Sequence, residues 1–321
     1  MTNKLVRIAA VALMALGLQV ASAQAEWAGY RTVNIPANTD VRLTVPFTNH
    51  VTATHTVTSI AGTTVNFSAA PAITYTANRY YIRFTSGAAN GLWATISSHT
   101  GTNSFFSVPA GSAAAVGLAV PGDTFRVYLH NTLGSVFPTT LNNVSFNSST
   151  QILLFNNNAP YAQNRGPVST AARAGSNWVG GGVNNNTALA PETTFILRNN
   201  SASTLKFITL GDAPDTAVAF LLNPANANPG TGDLYLGSGY PVDVLLRAGG
   251  LNGTSRQVLF YNSQATGLNK QASATAASAG ATNWAGGGIT ATTVLPPAET
   301  FTYRLPAGIA SNTKVTVFKP Y

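Results

Sequence analysis

Nine carboxylates serve a chain of 321 residues, so acid–base chemistry would have to come from very few side chains. Glycoside cleavage needs two carboxylates about 5–10 Å apart across a cleft. Glu192 and Glu299 occupy near-equivalent places in a repeated segment, each after Pro and before Thr in a short run. A repeated corner of this kind is more economically a turn whose carboxylate accepts backbone N–H bonds. Asp212 and Asp215 flank Ala213-Pro214, which also suits a turn. Calcium wants about six to eight oxygens, and two isolated carboxylates fall short. His50, His55, His99 and His130 all lie in the first half of the chain, and no helical H-E-x-x-H arrangement is present. Without cysteine, a zinc site would rest on His55 and a partner the spacing does not supply. The nucleophile elbow G-x-S-x-G and both glycine-rich phosphate loops are missing. No catalytic residue, metal or cofactor is expected, and the chain is read as non-enzymatic. A secreted hydrolase using Asp212, Asp215 or Glu299 is the chemical alternative.

Aromatic residues give the better binding signal. Asn177-Trp178-Val179-Gly180-Gly181-Gly182 returns as Asn283-Trp284-Ala285-Gly286-Gly287-Gly288. If exposed, Trp178 and Trp284 could stack on sugar rings, with Asn177 and Asn283 supplying hydrogen bonds. If buried, each ring plugs the end of a sandwich, and the glycines let the backbone pass close by.

The elements that carry these residues read as strands. Apolar residues alternate, as in Val41-Arg42-Leu43-Thr44-Val45 and Phe125-Arg126-Val127-Tyr128-Leu129, the mark of half-buried strands. Gly, Pro, Asn and Asp punctuate at short intervals, as antiparallel turns require. The C-terminal half is written twice. Gln151-Ile152-Leu153-Leu154-Phe155-Asn156 returns as Gln257-Val258-Leu259-Phe260-Tyr261-Asn262, and Phe195 and Arg198 return as Phe301 and Arg304 at the same offset. Leu133-Gly134-Ser135-Val136-Phe137-Pro138 also matches Leu236-Gly237-Ser238-Gly239-Tyr240-Pro241 at a shorter offset, which needs an insertion near 249–253. The copies are therefore placed at about 133–230 and 236–321, with 223–232 as a linker. The expected fold is all-β: a small N-terminal β-barrel or sandwich over 26–131, then a tandem-repeat, pseudo-twofold β-sandwich over 132–321. In that sandwich each copy would cover the other's apolar face.

Composition bounds the compartment and the partners. Lys4 and Arg7 precede an apolar stretch over 8–20, and Ala21-Ser22-Ala23 or Ala23-Gln24-Ala25 supplies a small-residue cleavage pattern. Residues 1–25 are thus read as a secretory signal peptide, and the product as periplasmic, cell-surface or extracellular. No second long apolar run suggests a membrane-spanning helix. An outer-membrane barrel fits less well, because dense Gly and Pro turns and Pro320 interrupt regular long strands. The absence of cysteine excludes a disulfide framework. Charged residues make up 8% of the chain, against about 25% in ordinary domains. The net charge of +8 comes from few acids, not from a basic stripe. Nucleic-acid binding is therefore not expected.

The order of several segments resembles a family of exported bacterial proteins of unknown function. They are residues 79–97, the turn Pro121-Gly122-Asp123-Thr124-Phe125, the Gln-aliphatic-Leu strand, Gly239-Tyr240-Pro241-Val242-Asp243, residues 262–270 and Phe301-Thr302-Tyr303-Arg304. The resemblance spans nearly the whole chain after the leader and implies a fold and a compartment, but no activity. The N-terminal part alone resembles a small β module found in other exported and phage-related proteins. The expected role is a structural, surface or adhesive protein. Its expected partners are itself or an envelope or extracellular polysaccharide, the latter held by the paired Trp loops.

Overall fold

Alternating apolar residues with frequent turn residues leave the chain few options besides short antiparallel strands. The computed structural model agrees, with 50% strand and 6% helix. It describes residues 28–137, 148–155, 166–222, 232–246, 257–260, 274–278, 284–290, 292–298, 300–305, 313–317 and 319–320. The leader, most of the 223–232 linker, the 249–253 insertion, the 262–270 motif, Asn283 and Glu299 lie outside the described residues.

The first strands are β1 (Ala28–Ile35) and β2 (Thr39–Thr44). Six follow: β3 (Val51–Ala61), β4 (Thr64–Phe67), β5 (Tyr80–Phe84), β6 (Trp93–Thr95), β7 (Phe105–Ser107) and β8 (Thr124–Leu129). Then come β9 (Asn131–Thr132), β10 (Thr150–Leu154), β11 (Ser169–Ala174), β12 (Asn177–Val179), β13 (Ala188–Leu189), β14 (Thr194–Asn199) and β15 (Leu205–Asp212). The last group is β16 (Val218–Leu222), β17 (Gly232–Gly237), β18 (Val244–Leu245), β19 (Gln257–Phe260), β20 (Ala274–Ser278), β21 (Trp284–Ala285), β22 (Val294–Leu295), β23 (Thr300–Leu305) and β24 (Thr313–Val317).

The sheets divide the chain differently from the sequence reading. Strands β3 to β8 form one sheet in the order β6-β5-β8-β3-β4-β7. The segment after β6 bridges back to β7 through Ser98 and Ser107, so this module curls into a small barrel. Its core holds Phe67, Phe84, Phe106 and Phe125. Strands β1 and β2, assigned from sequence to this N-terminal unit, do not join it. Instead β1 pairs with β15, and β2 adds to the sheet β12-β11-β10-β14-β2. The second copy repeats this plan, with β16 on β24 and the sheet β17-β23-β19-β20-β21. The small pair β13-β9 likewise recurs as β18-β22. The first copy therefore begins at β1, and the barrel module is inserted between its β2 and β9. The second copy spans the same gap with residues 238–243.

Register fixes the correspondence. Thr39–Thr44 pairs with Thr194–Asn199 in the alignment in which Gly232–Gly237 pairs with Thr300–Leu305. Asp40 then matches Asp233, and each grips the matched arginine. Arg198 donates to Asp40 at 2.7 and 2.8 Å, and Arg304 donates to Asp233 at 2.7 and 3.1 Å. The match of residues 133–138 to 236–241 is corrected by this register. Leu236 and Gly237 lie in β17, whose counterpart is β2, whereas Leu133–Val136 is a helical turn beyond β9.

Each copy also closes its own core rather than covering its twin's. Phe137, Trp178, Phe195 and Phe207 fill the first, and Tyr240, Trp284, Phe301 and Tyr303 fill the second. A ribbon, β1-β15 or β16-β24, supplies the second layer in each case. The copies meet through a smaller cluster of Leu153, Phe155, Ile196 and Tyr235. There Phe155 stacks on Tyr235 at 4.0 Å, and the Arg42 guanidinium lies over both rings. Thr44 N–H donates to the Ala298 carbonyl, while Thr193 bridges Leu236. These contacts exchange between matched positions, as a pseudo-twofold arrangement requires.

Candidate functional site: the junction of the three units

The paired Trp loops were the sequence's candidate ligand site. Trp178 is 1% exposed and Trp284 3%. Trp178 sits on the short β12, which turns it inward against Phe137 at 5.2 Å, with the Arg173 guanidinium 5.5 Å from its ring. An indole so enclosed offers no face to a sugar ring, so both residues serve as end plugs. The glycines behind them are required by the backbone. Gly180, Gly181 and Gly182 all have positive φ, as do Gly286, Gly287 and Gly288. A Cβ on Gly181 would stand 2.7 Å from the Thr170 carbonyl oxygen. Asn177 is exposed, and its side-chain oxygen accepts from Asn185 at 2.8 Å. Asn185 in turn accepts from the Trp178 backbone N–H at 2.9 Å, so the asparagines tie the loop to itself.

The described acids are dispersed, five of them beside basic side chains. Besides the Asp40 and Asp233 pairs, Asp215 bonds Arg126, Glu192 bonds Arg83, and Asp212 lies 3.3 Å from His50. Asp212 and Asp215 thus turn to different partners despite their closeness in sequence. Asp123 accepts from the Val120 N–H at 3.0 Å, a turn role. Glu192 has φ of 56°, and its match in the second copy is Ala298 at 62°, not Glu299. The shared feature at this corner is a left-handed backbone, with the carboxylate present in one copy only. Among the described residues no group of three or more His, Asp or Glu could hold a metal.

The arginines bring the three units together. Arg83 and Arg126 stand directly opposite each other on β5 and β8, on the outer face of the barrel module. They reach Glu192 at the head of β14 and Asp215 in the link between β15 and β16. Tyr81 and Tyr128 pair on the same face, with ring centroids 5.1 Å apart, and His130 lies 4.8 Å from Tyr81. Gly239 of the second copy closes the group, because a Cβ there would come within 3.0 Å of the Glu192 side chain. A recess lined by Val45, Phe47, Tyr81, Asn131, Glu192 and Pro214 opens beside it.

Burial governs the electrostatics here. Desolvation works to lower the Arg83 pKa, but adjacent Glu192 overrides it and raises it. Burial pushes the Glu192 carboxyl upward against the pull of Arg83. It also raises Tyr81 and Tyr128, and it lowers His130 to about 4. Nε and Nη1 of Arg83 and Oε2 of Glu192 are buried without hydrogen-bond partners. A perturbed carboxyl beside a recess resembles an acid catalyst, yet the recess has room for only about one water molecule. The arrangement can lock units together.

Sequence reasoning missed this junction. Its signal was present: Arg83 interrupts the aromatic and aliphatic run Tyr80-Tyr81-Ile82-Arg83-Phe84. A cation in such a strand needs a partner if it is buried, but nothing in the order of residues names Glu192. Comparison of the chain with protein-family models, with curated proteins and with solved structures returns no match.

Proposed function

We propose that this is a non-enzymatic exported protein with a structural, surface or adhesive role. The observation that carries this reading is that its chemically capable side chains are spent on the fold. The described carboxylates Asp40, Asp215, Asp233 and Glu192 hold arginines, and Trp178 and Trp284 fill cores. The leader pattern and the resemblance to exported bacterial proteins support export. No helix among the described residues is long and apolar enough to cross a membrane. Burial of both indoles argues against sugar capture by the Trp loops, and dispersal of the acids argues against a hydrolase. Fractionation of cells producing the tagged full-length chain tests the reading. Recovery in the envelope, on the surface or in the medium is expected. An intracellular pool with the leader uncleaved would sink it.

A further inference from the structure

The repeat supplies two matched ribbons, but the chain has one barrel module to cover them. On the second copy, that module meets the outer edge of β16 at Ala219 and the side chain of Lys314 on β24. Ala219 N–H donates to the Gly91 carbonyl at 3.1 Å, and Lys314 Nζ donates to the Ala88 carbonyl at 2.9 Å. Gly91 has φ of 86°, and a Cβ there would stand 2.8 Å from the Ala217 carbonyl oxygen, so the approach is close. Ala219 is left 2% exposed.

Among the described residues, the outer edge of the matched strand in the first copy has no partner. Among the described residues, positions 28–34 of β1 make no backbone hydrogen bond beyond those to β15. In an antiparallel pair, alternate residues turn their N–H and C=O groups away from the partner. Strand β1 runs eight residues in unbroken register, without Pro, Lys or a bulge to blunt its edge. Arg31, its one charge, is half-buried on the side of Val33 and Ile35. Tyr30 and Leu210 face each other across the ribbon and are 78% and 54% exposed.

We propose that the outer edge of β1 pairs antiparallel with β1 of a second copy of this chain, joining two ribbons into one four-stranded sheet. A strand pairing with itself in antiparallel sense generates a twofold axis, so both open edges are satisfied at once and the assembly stops at two. Tyr30 of each copy gains cover from its neighbour's side chains on the same face. The edge is about 26 Å long, which places the contact among small, reversible interfaces.

Sedimentation of the purified mature protein over a concentration series tests this. A reversible monomer–dimer equilibrium is expected. Tyr30→Lys with Thr32→Lys, both on the solvent side, should weaken it by about tenfold or more with the circular dichroism spectrum unchanged. Because the chain has no cysteine, Tyr30→Cys, Thr32→Cys and Asn34→Cys can be oxidised singly. One should form a homodisulfide far above a Lys206→Cys control. A protein that stays monomeric throughout, a dimer indifferent to the lysines, or equal crosslinking at all four positions would overturn the proposal. Fractionation and sedimentation are independent, so export can stand while the dimer fails, or the reverse.

Discussion

At the scale of single residues, the junction depends on a buried ion pair with incomplete hydrogen bonding. Such pairs contribute little net stability, yet removing one partner strands a charge. Arg83→Met should therefore cost about 3–5 kcal/mol in urea unfolding. Arg83→Met with Glu192→Ala should cost less than Arg83→Met alone, because Ala already occupies the matched corner at Ala298 with the same backbone. Additive losses would show that the two residues are not coupled. His130 gives a pH dependence of definite sign. Its folded pKa is depressed from 6.5 to about 4 by burial. Its neutral form is favoured on folding, so the stability it contributes is present above pH 6.5 and is lost as pH falls toward 4. The loss is on the order of 3 kcal/mol. Carboxylates titrate in the same range, so the readout is the difference between wild type and His130→Gln. The variant should show the shallower decline from pH 6.5 to 4, and parallel curves would refute the assignment. Neither residue's role was legible from the chain: a lone Arg in a strand or a His beside one looks the same whether it faces solvent or is buried against distant side chains.

At the scale of elements, the strands were legible because the pleat alternates faces, and apolar alternation records which face is buried. That is why 41–45 and 125–129 were readable as strands. The Trp-Gly loops were legible as repeated turns, but not as plugs, since an indole before three glycines suits either burial or display. Their burial sets an expectation. Trp178→Ala should cost about 3–5 kcal/mol, as large buried aromatics do. The loss should be local at first. Amide exchange should quicken in β10, β11, β12 and β14, while β3, β5 and β8 of the barrel module keep their protection. Loss of protection across all strands together would mean that the units unfold as one. Trp284→Ala should act likewise on β19 and β23.

At the scale of the whole molecule, the barrel module is a guest inside the first copy. Phe47 and Tyr240 show where the two copies part. Phe47 lies 3.2 Å from a Cβ built on Gly29, at the end of the first ribbon. Tyr240 closes the second ribbon, its hydroxyl accepting from the Val218 N–H at 3.0 Å. After Phe47 the first copy runs through the module to β9, whereas after Tyr240 the second needs only Pro241-Val242-Asp243 to reach β18. Replacing residues 48–130 by Pro-Val-Asp, with Glu192→Ala to avoid an orphaned carboxylate, should leave a folded double sandwich. Cooperative unfolding and a β-type circular dichroism spectrum are the expected readouts. A chain without cooperative unfolding would show that the module is needed to hold the copies together. The inserted boundary was hidden in the sequence because β1 and β2 share few identities with β16 and β17. Their kinship lies in register and in the Asp40 and Asp233 pairs.

By itself, the sequence determined that the chain is strand-built, that its second half recurs, and that dense charge and thiol chemistry are absent. Those properties are local or compositional: a two-residue period, a repeated run, a count of side chains. Only the tertiary structure decided which arginines Asp40, Asp215, Asp233 and Glu192 hold, that the indoles face inward, that each copy seals its own core, and that, among the described residues, one ribbon edge is met by the barrel module and the other is not. Those outcomes depend on contacts between residues far apart in the chain, fixed by strand register and close packing, and a linear pattern does not encode which distant partner it will meet.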